Sequence, residues 1–336
     1  MKNKCFIIAE LSANHGNDIN IVLDTVRAVK RSGADAIKIQ TYKADTITID
    51  SNKNDFIIEG GTIWDGKTLY NLYKEASLPW EWHKKIFDLA KELDMICFSS
   101  PFDNSAVDFL ETLNNPIYKI ASFEITDIPL IEYIAKKGKP IIISTGIADF
   151  EDIKLAIDTC KKVGNYDITL LKCTSSYPAP VEEADLIMIK RFVKDFKVKV
   201  GLSDHTLGII VPITAVAMGA TVIEKHFILN KNIGGPDSSF SLDENEFTQM
   251  VKAVRIAEKS IGVEKYDLTL KQKDSRRFSR SLYAIKDIKK GERFTEKNIK
   301  SIRPGYGLHP KFYGQILGSI SKLDIEKGDR ITKNSF

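Results

Sequence analysis

Short runs of β-branched and aliphatic residues alternate along this chain with longer stretches whose apolar positions recur every three or four residues. The short runs occupy 5–10, 36–40, 95–99, 117–120, 140–144, 168–172, 199–202 and 221–226. They are continuously apolar, the pattern of strands buried on both faces of a parallel sheet. Helical periodicity fills 19–31, 81–93, 128–137, 150–163, 207–218 and 244–261. About eight β/α units in roughly 260 residues predict an α/β chain folded as a TIM (β/α)8 barrel. A doubly wound open sheet is the structural alternative.

The stretch 41–78 lacks a clear period, contains Gly60-Gly61 and Trp64, and reads as a long loop shaping the mouth of the barrel. Residues 263–280, with KQKDSRR at their centre, read as a linker between a barrel of residues 1–262 and a small β-rich domain of residues 281–336. Inside that domain DIKKGERFTEKNI (287–299) is echoed by DIEKGDRITKNSF (324–336), each copy with a Lys-Gly turn between β-prone pieces.

Composition narrows the function by exclusion. With 49 basic and 45 acidic residues, the net charge of +4 does not predict nucleic-acid binding. No segment approaches the roughly 20 apolar residues of a membrane helix, and no signal peptide is visible. The four cysteines are scattered and form no CxxC pair, so they read as buried, reduced thiols, and the expected compartment is the cytoplasm.

Chemistry gathers at the ends of the expected strands, the C-terminal rim where TIM barrels hold their active sites. His205 in GLSDHT and His226 in VIEKHF each end an apolar run. Two imidazoles on neighbouring strands can converge on one divalent metal. Lys38 in AIKIQ and Lys119 in YKIAS are charges inside apolar strands, which is costly unless they are paired or face a solvated site. They read as clamps for a phosphate or carboxylate, with Ser99, Ser100, Ser122 and Ser144 adding hydroxyl donors; a buried salt bridge is the plainer alternative. Glu10 is a candidate acid or base or the partner of one of those lysines, and Asp237 would ligate metal or bind sugar hydroxyls. His15 reads as a substrate contact or loop support and His83 as structural. These residues alone describe a metal-dependent barrel enzyme for a phosphorylated or carboxylated small molecule.

The motifs AELSANHG, AIKIQTY, FSSPFD, YKIASFE, ISTGIA, CTSSYPAP, GLSDHT, EKHF and GGPDSSFSL occur in the order found in the sialic acid synthase family, which the whole chain resembles. IRPGYGLHP resembles a segment of that family's antifreeze-like (SAF) domain. The resemblance implies condensation of phosphoenolpyruvate with an open-chain N-acetylated amino sugar, with loss of phosphate and a divalent metal, Mn2+ or Mg2+. Ser12-Ala13, Phe123, SSYPAP and the block at 62–82 resemble the branch that makes pseudaminic acid from 2,4-diacetamido-2,4,6-trideoxy-L-altropyranose. N-acetylneuraminate or legionaminate synthesis is the next reading.

Carried over by position, the resemblance makes His205 and His226 the metal ligands. It puts Lys38, Ser100, Lys119, Ser122, Ser144 and Ser203 around phosphoenolpyruvate. Glu10 falls near the reacting carbon, with Gln40 and Glu124 beside the same pocket, and Ser175, Tyr177 and Asp237 fall on the sugar side. Arg303 matches an arginine that crosses a domain-swapped homodimer to the partner's sugar site. Glu10, Lys38 and Lys119 are the expected catalytic groups. A metal-dependent pyruvate aldolase and a non-enzymatic sugar-binding protein are the readings from other classes.

Overall fold

The computed structural model describes residues 4–59, 61 and 64–336; Gly60, Thr62 and Ile63, part of the loop and branch cues above, lie outside the described residues. The chain divides into two compact units, Met1–Gly262 and Val263–Phe336.

The first unit is a closed barrel of eight parallel strands in sequential order. They are β1 (Phe6–Glu10), β2 (Ala36–Thr41), β3 (Ile96–Pro101), β4 (Tyr118–Ile120), β5 (Ile141–Ser144), β6 (Ile168–Cys173), β7 (Lys199–Asp204) and β8 (Val222–His226), with β8 pairing back onto β1. In order along this unit the helices are α1 (Ile19–Ser32), α2 (Ala44–Ile47), α3 (Leu69–Ala76), α4 (Trp80–Glu92), α5 (Asn104–Thr112), α6 (Ile128–Ala135), α7 (Phe150–Lys162), α8 (Met188–Phe196), α9 (Ile210–Met218) and α10 (Glu244–Ile261). Local chemistry sets their ends. Asp18 caps α1 through the Asn20 amide and Gly33 closes it at φ +83°, while Asp243 and Glu246 form a capping box on α10. The stretch 41–78 is a loop only in part, since it contains α2 and α3.

Strand parity organises the interior. Ile8, Ala36, Phe98, Ile142, Leu171 and Val222 form one buried cluster. Each stands two residues before Glu10, Lys38, Ser100, Ser144, Cys173 or Glu224, so plug and mouth residues share the inner face of their strands. On β7 the equivalent plug position is Gly201. A Cβ there would meet the Val222 carbonyl at 2.3 Å and Leu171 Cδ2 at 2.8 Å, so only glycine fits beside the filled plug. The odd-parity residues, among them Ile7, Ile37, Cys97, Ile143 and Ile223, face the helices in the main core.

The second unit continues with α11 (Leu270–Ser275), β9 (Ser281–Ala284), β10 (Ile299–Ile302) and α12 (Tyr313–Ile316); β9 and β10 pair antiparallel around a separate core that includes Leu282, Phe294, Ile316 and Ile331. The two repeat copies embrace each other. Ile288 and Ile325 exchange both backbone hydrogen bonds, at 2.8 and 2.9 Å. The Asp324 carboxylate accepts from the Lys290 amide at 2.8 Å, and Asp287 accepts from the Lys327 amide at the same distance.

Candidate active site

A cavity of about 400 Å³ opens at the C-terminal ends of the strands. Its lining brings together Glu10, Lys38, Gln40, Lys119, Ser122, Glu124, Ser144, Tyr177, Ser203, His205, His226 and Asp237, residues spread over more than 220 positions of sequence.

At the floor is a buried charge cluster. Lys38 pairs with Glu10 Oε2 and lies 3.6 Å from Glu224, which is 3.8 Å from Lys119. All four side chains are at least 97% buried. Register explains the contact: Glu10 is the Cα partner of both Lys38 and His226, which puts the three at one level on adjacent strands. Gln40 Nε2 donates to Glu10 at 2.8 Å, Lys119 Nζ to Ser144 Oγ at 2.7 Å, Lys38 Nζ to Ser100 Oγ at 3.4 Å, and Ser203 Oγ to Glu224 at 3.0 Å. Burial alone would raise the Glu10 carboxyl, but Lys38, His226 and Lys119 hold it down at about 2. Burial pulls Lys119 below the usual lysine range, Glu224 only partly offsetting it, whereas Glu10 and Glu224 overcome burial and raise Lys38. Glu124 is pushed up to about 7 by burial, and its Oε2 has no hydrogen-bond partner among the described residues.

The two histidines stand with ring centroids 5.3 Å apart. His205 Nδ1 lies 2.9 Å from the Thr174 carbonyl and donates to it, which leaves Nε2 as the nitrogen where a cation would take the place of a proton. His226 Nδ1 is buried without a hydrogen-bond partner among the described residues, 3.7 Å from Asp237 Oδ2. Burial and the neighbouring His205 and Lys38 keep His226 below the usual histidine range, against the pull of Glu10 and Asp237. Burial also opposes charge on His205, but Cys173, the Thr174 carbonyl and Asp204 outweigh it and raise the ring to about 9. Those surroundings favour positive charge at that position. No three His, Cys, Asp or Glu side chains among the described residues already converge as a ligand cage. Even so, two imidazoles beside a carboxylate form a donor set that suits a divalent cation, which would displace the proton from His205.

Several sequence expectations change. Glu224 and Cys173 are site residues that the strand-end reading overlooked. Cys173 is no inert core thiol: its Sγ lies 3.8 Å from His205 Nδ1 and accepts from Ser122 Oγ at 3.4 Å. Parity would have found both, because each is two residues beyond a plug residue. The same rule turns Ser99 away, along with Lys172 and Asp204 at the ends of β6 and β7. Ser99 bonds Thr41 on the outer face, Lys172 donates to the Cys173 and Glu183 carbonyls, and Asp204 pairs at 2.5 Å with Lys225. His15 is loop support: Nε2 meets the Ala76 carbonyl and Nδ1 accepts from the Asn17 amide. His83 is structural, between Thr41 Oγ1 and the Pro79 carbonyl. Ser175 stands at the edge of the site, against Gly146. Arg303 is an exposed residue of the second unit.

Comparisons with known proteins cover both units of the chain. A model of the NeuB family matches residues 25–266, and a model of the SAF domain matches residues 279–336. The chain is 51% identical over 333 residues to the pseudaminic acid synthase of Campylobacter jejuni, covering 99% of this chain and 97% of that protein. It is 52% identical over 313 residues to the pseudaminic acid synthase of Helicobacter pylori, covering 93% and 92%. Among solved structures, the N-acetylneuraminic acid synthetase of Leptospira borgpetersenii superposes with a TM-score of 0.73 at 30% identity, covering 81% of this chain and 90% of that one. The chain belongs to the NeuB family.

Proposed function

We propose that this enzyme condenses phosphoenolpyruvate with 2,4-diacetamido-2,4,6-trideoxy-L-altropyranose and water, giving pseudaminic acid and inorganic phosphate. The observation that carries the reading is the pair of buried lysines, Lys38 and Lys119, opening on one cavity with His205 and His226. The 51% identity to an enzyme of that name supports the choice of sugar.

In the free protein two ammonium groups face two carboxylates, so the floor is close to neutral. An entering phosphoenolpyruvate competes with Glu10 and Glu224 for the lysines, with Ser144 and Ser100 donating beside them. As Lys38 turns to the anion, Glu10 loses the neighbour that depressed it and becomes a better base. Glu10 can then take a proton from the water that adds at C2, while Gln40 holds its other oxygen. C3 of phosphoenolpyruvate forms the new bond to the aldehyde carbon, and the C2–O bond to phosphate breaks afterwards. Held by His205 and His226, Mn2+ or Mg2+ would supply a Lewis acid for the aldehyde oxygen and positive charge to balance the added anion. Tyr177, whose ring centroid lies 4.5 Å from that of His205, would orient the sugar beside Asp237.

Phosphate release and mass spectrometry of the product decide the matter. The diacetamido sugar should give a nine-carbon keto acid and stoichiometric phosphate. Release of no phosphate, or a higher kcat/KM with N-acetylmannosamine, would overturn the assignment. The proposal extends to a homodimer in which Arg303 serves the partner's site, supported by the resemblance of IRPGYGLHP. Random mixing of Lys119→Ala and Arg303→Ala subunits should then restore about a quarter of wild-type turnover, one site in each mixed dimer being intact. No restoration would place Arg303 in its own subunit's chemistry.

A further inference from the structure

The cavity has two chemically different ends. Strand-borne Lys38, Lys119, Glu10, Glu224 and the histidines make a charged floor. The segment between β2 and α4, joined by the residue after β3, makes a wall of Ile47, Ile58, Leu69, Leu72, Tyr73 and Phe102. Most of these side chains are only half-buried, so it is the cavity that they face and not a packed core. Tyr42 braces the wall, its ring centroid 5.0 Å from Phe102 and 6.1 Å from Tyr73 in edge-on contacts.

The aliphatic members of this wall offer no hydrogen bond. A sugar hydroxyl pressed against them would lose water without gaining a partner, whereas a methyl group gains contact. We infer that the β2–α4 segment selects the sugar, admitting a substrate whose carbons distal to the aldehyde carry methyl and N-acetyl groups and rejecting one that carries a primary hydroxyl there. The inference rests on the functional reading for the position of the aldehyde, at the histidine end.

The test pairs binding with turnover. The diacetamido-trideoxy sugar and its 6-hydroxy analogue are titrated calorimetrically into the manganese-loaded enzyme, and phosphate release is followed separately with each. An apolar pocket discriminates one such group by about 10–200-fold, and wild-type affinity should favour the deoxy sugar within that range. Leu69→Asn and Ile58→Asn should each cut the ratio several-fold, with the KM for phosphoenolpyruvate unchanged and circular dichroism native. A wild-type ratio near one overturns the inference, and so does a variant that loses affinity for both sugars equally. If both sugars bind with the expected ratio but neither yields phosphate, the functional reading fails while the assignment of the wall stands.

Discussion

Glu224 offers a sharp test, because its charge faces both lysines while the one hydroxyl that donates to it, Ser203 Oγ, can equally serve a glutamine oxygen. In Glu224→Gln the shape survives but one negative charge leaves the floor. The contacts at 3.6 and 3.8 Å to Lys38 and Lys119 are worth about 4 kcal/mol each in Coulomb attraction at an effective dielectric constant near 20. Desolvation offsets most of that, and removing one partner of a buried pair costs about 3–5 kcal/mol. At roughly 2 °C per kcal/mol for a domain of this size, Tm should fall by roughly 6–10 °C. Phosphoenolpyruvate should reverse the deficit. In the wild type the anion must displace two carboxylates, whereas in the variant it meets lysine charge that is already uncompensated. Scanning calorimetry at saturating phosphoenolpyruvate should therefore show a larger upward shift for the variant, and its Kd should be tighter by about tenfold, or 1.4 kcal/mol. An equal or smaller shift would refute the idea that Glu224 holds the place of the anion.

Three further outcomes are expected. Burial lowers His83 to about 4, against a smaller opposing effect of the Pro79 carbonyl; its contribution to stability is complete above the unfolded value near 6.5 and is lost as pH falls towards 4. Urea titrations should lose about 3 kcal/mol over that window in the wild type relative to His83→Gln, and parallel curves would contradict it. In Gly146→Ala the new Cβ would lie 2.1 Å from Ser175 Oγ and 2.8 Å from Ser122 Oγ, so both hydroxyls must move. Turnover should fall at least tenfold with little change in Tm, and an unaffected kcat/KM would remove both serines from the reaction. Exhaustive chelation should abolish turnover, with Mn2+ or Mg2+ restoring it in the wild type but not in His205→Ala/His226→Ala; full activity in chelator would end the metal assignment.

Much of the barrel was legible because strands buried on both faces leave continuous apolar runs. All eight runs appear as strands, with ends moved by at most two residues. Helix α10 begins and ends where its periodicity does, since a capping box marks its start and Gly262 its stop. Helix α3 went unread although Leu69, Leu72, Tyr73 and Ala76 recur at helical spacing, because eight residues inside a stretch rich in Asp and Asn make a short signal. The site was legible as a set of strand ends but not in its facing. Lys38 and Lys119 point in, while Lys172 and Lys225, equally embedded in strand sequence, point out. That distinction belongs to parity, which fixes the face of each side chain once a single inward residue on the strand is known. The same parity hid Glu224 behind the more conspicuous His226. The stretch 41–78 was legible as a segment shaping the mouth, which its side chains line, but the contact of Tyr42 with Tyr73 joins residues too far apart in sequence for a local pattern to show.

The mutual capping in the second unit has a consequence for how that unit can be lost. The turn of each repeat copy is closed by a carboxylate from the other: Asp324 serves the amide of Lys290, and Asp287 that of Lys327. Neither half is therefore a smaller folded version of the whole, and the unit has no stable intermediate size. Trimming the chain within 324–336 should leave 281–323 unfolded, not frayed. Damage to this unit is then all or nothing, and a ragged end cannot tune it by degrees.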